Sequence, residues 1–295
     1  MVVAIEKHFL QDRLIDGSEF LFTLKDLSII SKIIMEESGI VLSESKASLV
    51  YSRLAKRIRH LGLSSFSEYC SLIQGDFGKD EKQELIAALT TNVTRFFREQ
   101  HHFEHMQKNI LPNLIREAKA RRRIRIWSAA CSSGPEPYSI ALTILQAMPN
   151  AGDYDIRILA TDIDHNILKI ASSGIYDASQ LAPISEEMQR RWFRPLNDGP
   201  GKMQVKPELR NLITFKQLNL IGTWPMKGKF QAIFCRNVVI YFDSKTQESI
   251  WSRFLPLMED GGALYIGHSE RVSGPSEKYF FNDGTTIYRN RMERR

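Results

Sequence analysis

Cysteine is scarce: Cys70, Cys131 and Cys235 are the three in 295 residues, an odd number with no CxxC pair. That argues against a disulfide framework or a cysteine zinc site and fits a reducing cytoplasm. No apolar run approaches the roughly 18–20 residues a membrane helix needs, so no spanning segment is expected. The opening MVVAIEKHFLQDRLIDGSEF carries Glu6, Lys7, Asp12 and Arg13 and lacks the apolar stretch and small-residue cleavage site of a secretory signal. Internal repeats and low-complexity tracts are absent. So are the dinucleotide fingerprint GxGxxG and the phosphate loop GxxxxGK(S/T), which disfavours a ligand held by its phosphates. The remaining composition is that of a globular protein, 43% hydrophobic and 25% charged. Forty basic against 34 acidic residues leave a formal charge of +6. Such an excess is compatible with nucleic acid, anionic lipid or an acidic protein and selects none of them.

Residues 1 to about 90 read as a small all-helical domain. Leu24, Leu27, Ile30, Ile33 and Ile34 recur at helical spacing, as do Leu49, Val50, Leu54, Ile58 and Leu61. Ser65–Ile73 and Lys79–Thr91 form two further helical segments. A linker and connecting helix is expected over 91–123. From 124 to 295 the texture changes to short apolar or β-branched runs at Ile124–Ala129, Asp155–Thr161, Leu212–Gln217, Phe230–Phe234, Gly262–Gly267 and Thr285–Arg289. Helical patterns separate several of them, which predicts an α/β domain with a mainly parallel, Rossmann-like sheet. The interval at about 180–210 is too long and too rich in proline and glycine for a simple crossover, and reads as an inserted small β subdomain.

The most informative stretch is Ile124-Arg-Ile-Trp-Ser-Ala-Ala-Cys-Ser-Ser-Gly134-Pro-Glu136, a strand running into a small-residue loop and a helix. A nucleoside ligand without phosphates needs carboxylates for its hydroxyls and for any ammonium group. Glu136 in this loop and Asp162 at the end of the second strand supply two. Read singly, Ser133-Gly-Pro-Glu136 also fits a capping box, and Asp162 or Asp164 also fits the cap of the next helix. Taken in order, they favour a methyltransferase-type sheet over a dehydrogenase.

Five colinear segments then resemble one family. They are Thr91-Asn-Val-Thr-Arg-Phe-Phe-Arg98, Trp127-Ser-Ala-Ala-Cys-Ser-Ser-Gly-Pro-Glu-Pro-Tyr-Ser139, Ala160-Thr-Asp-Ile-Asp164, Phe234-Cys-Arg-Asn-Val-Val-Ile-Tyr-Phe242 and Gly267-His-Ser-Glu270. Together they are similar to the chemotaxis receptor methyltransferases, the CheR family, from the helical domain to the last strand. Pro135 departs from the glutamate common in that family, and Glu136 is the matching acid. The resemblance implies an S-adenosyl-L-methionine-dependent enzyme that methylates glutamate side chains of methyl-accepting chemotaxis receptors, releasing S-adenosyl-L-homocysteine. It implies a cofactor site lined by Asn92, Thr94, Arg98, Glu136, Asp162, Asn219, Leu220, Arg236 and Asn237, with Arg98 and Tyr241 nearest the reacting groups. From the residues alone, Asn92 and Thr94 also fit helix caps, and Tyr241 also fits a core residue.

Residues 45–63 contain no Asp or Glu and carry Lys46, Arg53, Lys56, Arg57 and Arg59, within a region 1–92 holding 11 basic and 13 acidic residues. Such a run fits a solvated face, and the resemblance implies that it meets the helical cytoplasmic domain of the receptor. A monomer, cytoplasmic and recruited to receptor arrays, follows from the same resemblance. His101-His-Phe-Glu104-His105 matches the HxxEH spacing of inverted zinc proteases. Without a downstream acidic ligand it reads as a solvated helix, and no metal is expected. His268-Ser-Glu270 lacks a GxSxG elbow and reads as pocket wall. A nucleic-acid methyltransferase, supported by the basic pI and Arg121-Arg-Arg123, lacks an Asn-Pro-Pro-Tyr-type motif, so no nucleic-acid partner is expected. A non-catalytic receptor-binding adaptor is opposed by the intact acids and Arg98.

Overall fold

Four helices with apolar stripes account for the first part of the chain, and a twisted parallel sheet for the rest. The computed structural model describes residues 14–15, 18–75, 78–197 and 199–291. Residues 1–13, read above for a secretory signal, lie outside them, as do 292–295. Two compact units are present, Met1–Thr91 and Asn92–Arg295.

In the first unit, α1 (Leu24–Ser38) opens on a reciprocal cap. The Asp26 amide donates to Thr23 Oγ1, and the Thr23 amide donates to Asp26 Oδ2 at 3.0 Å, satisfying two donors that a helix start leaves open. α2 (Ala47–His60), α3 (Phe66–Gln74) and α4 (Lys79–Leu89) follow. They bury Val50, Leu54, Ile58, Phe66, Tyr69, Ile73, Leu85 and Ile86, as the apolar periodicity dictates.

Two of the basic residues expected on an open docking face are held within this unit. Arg57 forks onto the buried Glu81, with Nε donating to Oε1 at 2.8 Å and Nη2 to Oε2 at 2.5 Å, and Tyr69 Oη donates to the same carboxylate at 2.9 Å. Arg53 Nη1 donates to the carbonyls of Leu89 (2.9 Å) and Thr90 (2.7 Å), satisfying groups that the end of α4 leaves unpaired. Periodicity identifies the face of α2 that carries a guanidinium, but not the carboxylate or helix end that packs against it. Arg59 is exposed and paired with Glu19 at 3.1 Å, and Lys46 and Lys56 are exposed.

The second unit starts with an irregular segment, then α5 (His101–His105), a π-helical turn (Met106–Ile110) and α6 (Leu111–Lys119). There follow β1 (Ile124–Ala129), α7 (Pro135–Ala147), β2 (Ile156–Asp162), α8 (His165–Ser173), β3 (Ile175–Asp177), α9 (Glu186–Trp192), β4 (Phe193–Pro195), β5 (Lys202–Val205), α10 (Pro207–Arg210), β6 (Ile213–Gln217), β7 (Phe230–Cys235), α11 (Ser244–Phe254), β8 (Met258–Ile266), β9 (Phe280–Gly284) and β10 (Ile287–Asn290). The main sheet has the order β6-β2-β1-β7-β8-β10-β9. Its pairs are parallel except that β10 runs antiparallel to β8 and β9. The six expected strands are all present within a few residues of their expected limits. β9 was not anticipated, because Phe280-Phe-Asn-Asp-Gly has no sustained alternation. The interval after α8 holds a separate antiparallel sheet in the order β3-β5-β4, beginning at Ile175, upstream of the expected 180.

β1 continues to β2 and β6 on one side, while the later strands β7 and β8 build on the other. Strand order therefore reverses between β1 and β7, and the carboxyl ends of strands at such a reversal are the usual ligand position in these sheets.

Glu81→Ala should lower the unfolding free energy by about 2 kcal/mol, because it leaves Arg57 and the Tyr69 hydroxyl without their acceptor. Denaturant unfolding of the full chain against wild type measures it; an unchanged free energy would count against the buried fork.

Candidate active site

The loop leaving β1 is built to bring backbone close to a ligand. Ala130, Ser132 and Gly134 all have positive φ (61°, 51° and 96°), a conformation that costs L-residues energy unless their surroundings hold them. Here they are held. The Cys131 amide donates to the Thr161 carbonyl at 2.8 Å, and the Ser132 amide to Asp162 Oδ2 at 2.8 Å. A side chain at Gly134 would force its neighbours to shift, because a Cβ there would lie 2.8 Å from Tyr176 Oη and 3.1 Å from Ala171 Cβ. Gly134 is the N-cap of α7 and no side chain caps the helix, so the capping-box alternative for Ser133 and Glu136 does not occur.

Glu136 instead turns to the sheet. Its Oε1 accepts from Ser128 Oγ in β1 at 2.7 Å, and its Oε2 accepts from Arg236 Nη1, just past β7, at 3.1 Å. Burial pushes its pKa up, while Arg236 and Ser128 pull it back. Asp162 sits at the tip of β2, with Oδ1 accepting the Asp164 amide at 3.0 Å and Oδ2 the Ser132 amide. A carboxylate has about four acceptor sites, so it keeps capacity for a ligand hydroxyl. Burial lifts Asp162 to about 6 against those backbone donors. Asp164, not Asp162, caps α8, accepting the amides of Asn166 and Ile167.

Asn92 belongs to this cluster. Its Nδ2 donates to Asp164 Oδ2 at 3.1 Å and its carbonyl accepts Ser132 Oγ at 3.0 Å. Asn92 and Thr94 lie in irregular backbone and cap no helix. Arg98 Nη1 donates to the Val93 carbonyl at 3.0 Å, folding the guanidinium over its own loop. Asn219 and Leu220 follow β6: Asn219 Oδ1 accepts the Ile221 amide at 3.1 Å, and the Leu220 carbonyl accepts Arg253 Nη1 at 2.8 Å. Tyr241 is half-buried on a 3-10 turn after β7.

Arg236, which the resemblance places among the cofactor-lining residues, lies just past β7. Its side chain is 2% exposed and turned inward, with Nη1 on Glu136, and Nη2 on Glu99 Oε2 at 3.1 Å and on the Arg98 carbonyl. The buried Nε has no acceptor among the described residues. Asn237, at φ 58°, donates from Nδ2 to Glu99 Oε1 at 3.3 Å. Glu270 proves to be an anchor, not merely pocket wall. It is buried and accepts the amides of Gly267, Asn237, Val238 and Val239 at 2.5–3.0 Å, tying the loop after β7 to that after β8.

The helix His101–His105 is engaged by β8, β9 and the turn between β9 and β10 rather than solvated. His102 is buried and shares a hydrogen bond of 2.9 Å with Thr286 Oγ1; His105 lies 3.1 Å from both Tyr265 Oη and Asp283 Oδ2. Among the described residues, no group of three His, Cys, Asp or Glu could hold a metal ion. Burial raises the thiols of Cys131 and Cys235, which leaves them protonated and poor nucleophiles. Glu99 went unnoticed in the sequence, where it is one more acid after Arg98.

Two carboxylates, Glu136 at the start of α7 and Asp162 at the tip of β2, and a left-handed loop fit a ligand with hydroxyls and a cationic group. The chain matches the model described as "CheR methyltransferase, SAM binding domain" over residues 92–288 and "CheR methyltransferase, all-alpha domain" over 25–90. It is 56% identical over 258 residues to the probable chemotaxis protein methyltransferase of Rhizobium etli, covering 87% of this chain and 96% of that one. Chemotaxis protein methyltransferase 2 of Pseudomonas aeruginosa is 43% identical over 277 residues (92% and 95% covered). The chemotaxis protein methyltransferase of Salmonella typhimurium is 42% identical over 263 residues (88% of each).

Gly134→Ala should cost about 2 kcal/mol of stability, from a non-glycine residue at positive φ and a contact that must open. It should also displace the loop and weaken binding of S-adenosyl-L-methionine. Thermal unfolding with calorimetry checks both, and wild-type values in each would contradict the tight packing described here.

Proposed function

The chain belongs to the CheR family of chemotaxis protein methyltransferases, and from that premise we propose that its acceptors are glutamate side chains of methyl-accepting chemotaxis receptors, converted to methyl esters. The observation that carries the reading is the pair of carboxylates beside the left-handed loop 130–134, the half-buried Glu136 in the first turn of α7 and the buried Asp162 at the tip of β2. Asp162 would accept from the ribose hydroxyls of S-adenosyl-L-methionine and Glu136 from its ammonium group. Asn92, Thr94, Asn219, Leu220 and Asn237 would complete the lining, and Arg236 would act mainly through Glu136.

The bound cofactor supplies a methyl group made electrophilic by its sulfonium. A glutamate acceptor, with an ordinary pKa near 4.3, is already an anion at neutral pH, so the protein needs no general base. The tasks left to the chain are alignment and exclusion of water, which can supply about 7–11 kcal/mol. Arg98 would orient the acceptor carboxylate. One of its donors is on the Val93 carbonyl, and the others make no hydrogen bond among the described residues, so a two-pronged contact is open to it. Holding the carboxylate too tightly would blunt the nucleophile, and the tether to Val93 limits that pairing. Tyr241 would contribute a donor or a wall.

Docking on the receptor would use the exposed Lys46, just ahead of α2, and Lys56 and Arg59 within it, with Arg53 and Arg57 shaping that helix from within. An acidic receptor helix complements such a face. No helix among the described residues is long and apolar enough to cross a membrane; the proposed workplace is the cytoplasmic side of receptor arrays.

Radiolabelled methyl transfer to receptor-containing membranes, followed by release of base-labile methyl ester, tests the activity. Arg98→Ala should lower turnover at least about a hundredfold, whereas Cys131→Ala and Cys235→Ala should keep most of it; full activity of Arg98→Ala would remove that residue from the site. Cofactor affinity should also depend on acidity. Ribose hydroxyls donate to the ionised form of Asp162, so binding is complete above its pKa of about 6 and weakens as pH falls through it. The loss should approach about tenfold per unit below that value. Calorimetry between pH 5 and 8 reads this slope, and Asp162→Asn should flatten it.

A further inference from the structure

One acid lies at the meeting point of three loops and has no role in the reading above. Glu99 follows Arg98 with φ 55°, and its side chain is 11% exposed. Its Oε2 accepts from Arg236 Nη2 at 3.1 Å. Its Oε1 accepts from Asn237 Nδ2 at 3.3 Å and from the His268 amide at 3.2 Å, and lies 3.0 Å from His268 Nδ1. A left-handed, non-glycine residue with this many side-chain partners is held in place by its surroundings. We propose that Glu99 is a positioning residue for the methyl-donor site, taking up the Arg236 charge so that Glu136 remains an available anion for a cationic ligand.

The charges support this. Burial pushes Glu99 up, but Arg236 and the His268 hydrogen bonds prevail and hold it at about 2, so it is ionised. His102, 3.6 Å away, is kept neutral by burial and by Arg236, with a pKa of about 3. Glu270 is occupied by four backbone amides. The exposed His268 and the Arg98 guanidinium, which leans on the Val93 carbonyl, are the remaining ionisable neighbours. Arg236 between Glu99 and Glu136 therefore leaves one negative charge over. Without Glu99, Arg236 and Glu136 close into a neutral pair with nothing left for a cation.

The proposal rests on the reading that Glu136 faces the cofactor, and its test separates the two. S-adenosyl-L-homocysteine carries the ammonium group assigned to Glu136, its deamino analogue lacks it, and calorimetry can measure affinity for each. Glu99→Gln should weaken the ammonium-bearing ligand about tenfold and the deamino ligand about threefold or less, since one unit charge at a few ångströms in a partly buried site is worth at least that ratio. Glu99→Asp, which keeps the charge, should preserve the wild-type ratio even if both affinities fall. Equal losses for both ligands in Glu99→Gln would reduce Glu99 to a structural prop and overturn the proposal, as would unchanged affinities. Should Glu99→Gln fail to fold, Glu99→Ser, which also removes the charge, is read by the same two outcomes. Glu136→Gln is the control. If it leaves both affinities intact, the reading of Glu136 fails; if it weakens them while Glu99→Gln does not, only the present proposal fails.

Discussion

The interaction on which the candidate site depends is the burial of one guanidinium between two carboxylates. Arg236, just past the tip of β7, reaches Glu136 at the start of α7 on one side and Glu99 ahead of α5 on the other. Charges taken out of water are costly unless paired and hydrogen-bonded. The three segments that carry them are therefore held in one arrangement, and a change in any of them leaves an uncompensated charge in the interior. The pairing spans the point where strand order reverses, so the same contacts that hold the candidate site together also set its electrostatic character.

A second tie works through backbone donors alone. Glu270 gathers four amides from the loops after β7 and β8, and Asp162 gathers those of Ser132 and Asp164. Loops this short cannot satisfy their own N–H groups with secondary structure. A buried carboxylate resolves the shortage and fixes the loop in the same act. Gly134 serves the same end by the opposite means, since the absence of a side chain lets α7 start against Tyr176 and Ala171.

In the helical unit the basic helix α2 divides into two kinds of cation. Arg53 and Arg57 complete the fold by capping α4 and pairing with Glu81. Lys46 and Lys56 remain at the surface, with Arg59 in an exposed pair. Exposed pairs contribute little to stability, so Arg59 is readily exchanged onto an acidic partner, whereas Arg57 is not.

Local pattern was enough to determine the helical stripes of α1 to α4, the strand–loop–helix at Ile124–Ala147, the later parallel strands, and the two acids, one after β1 and one ending β2. Each is written in residues a few positions apart, where period and turn chemistry act directly. Which carboxylate meets which cation was decided only by the folded chain. Glu136 and Arg236 are 100 residues apart in sequence, and Glu99 and Arg236 are 137 apart. Nothing in the spacing of Arg53 and Arg57 distinguishes a cation that closes a helix end from one that faces solvent. The roles of Glu99 and Glu270, and the packing of His102 under the β9–β10 hairpin, arise from long-range contacts that a period of 2 or 3.6 residues cannot encode.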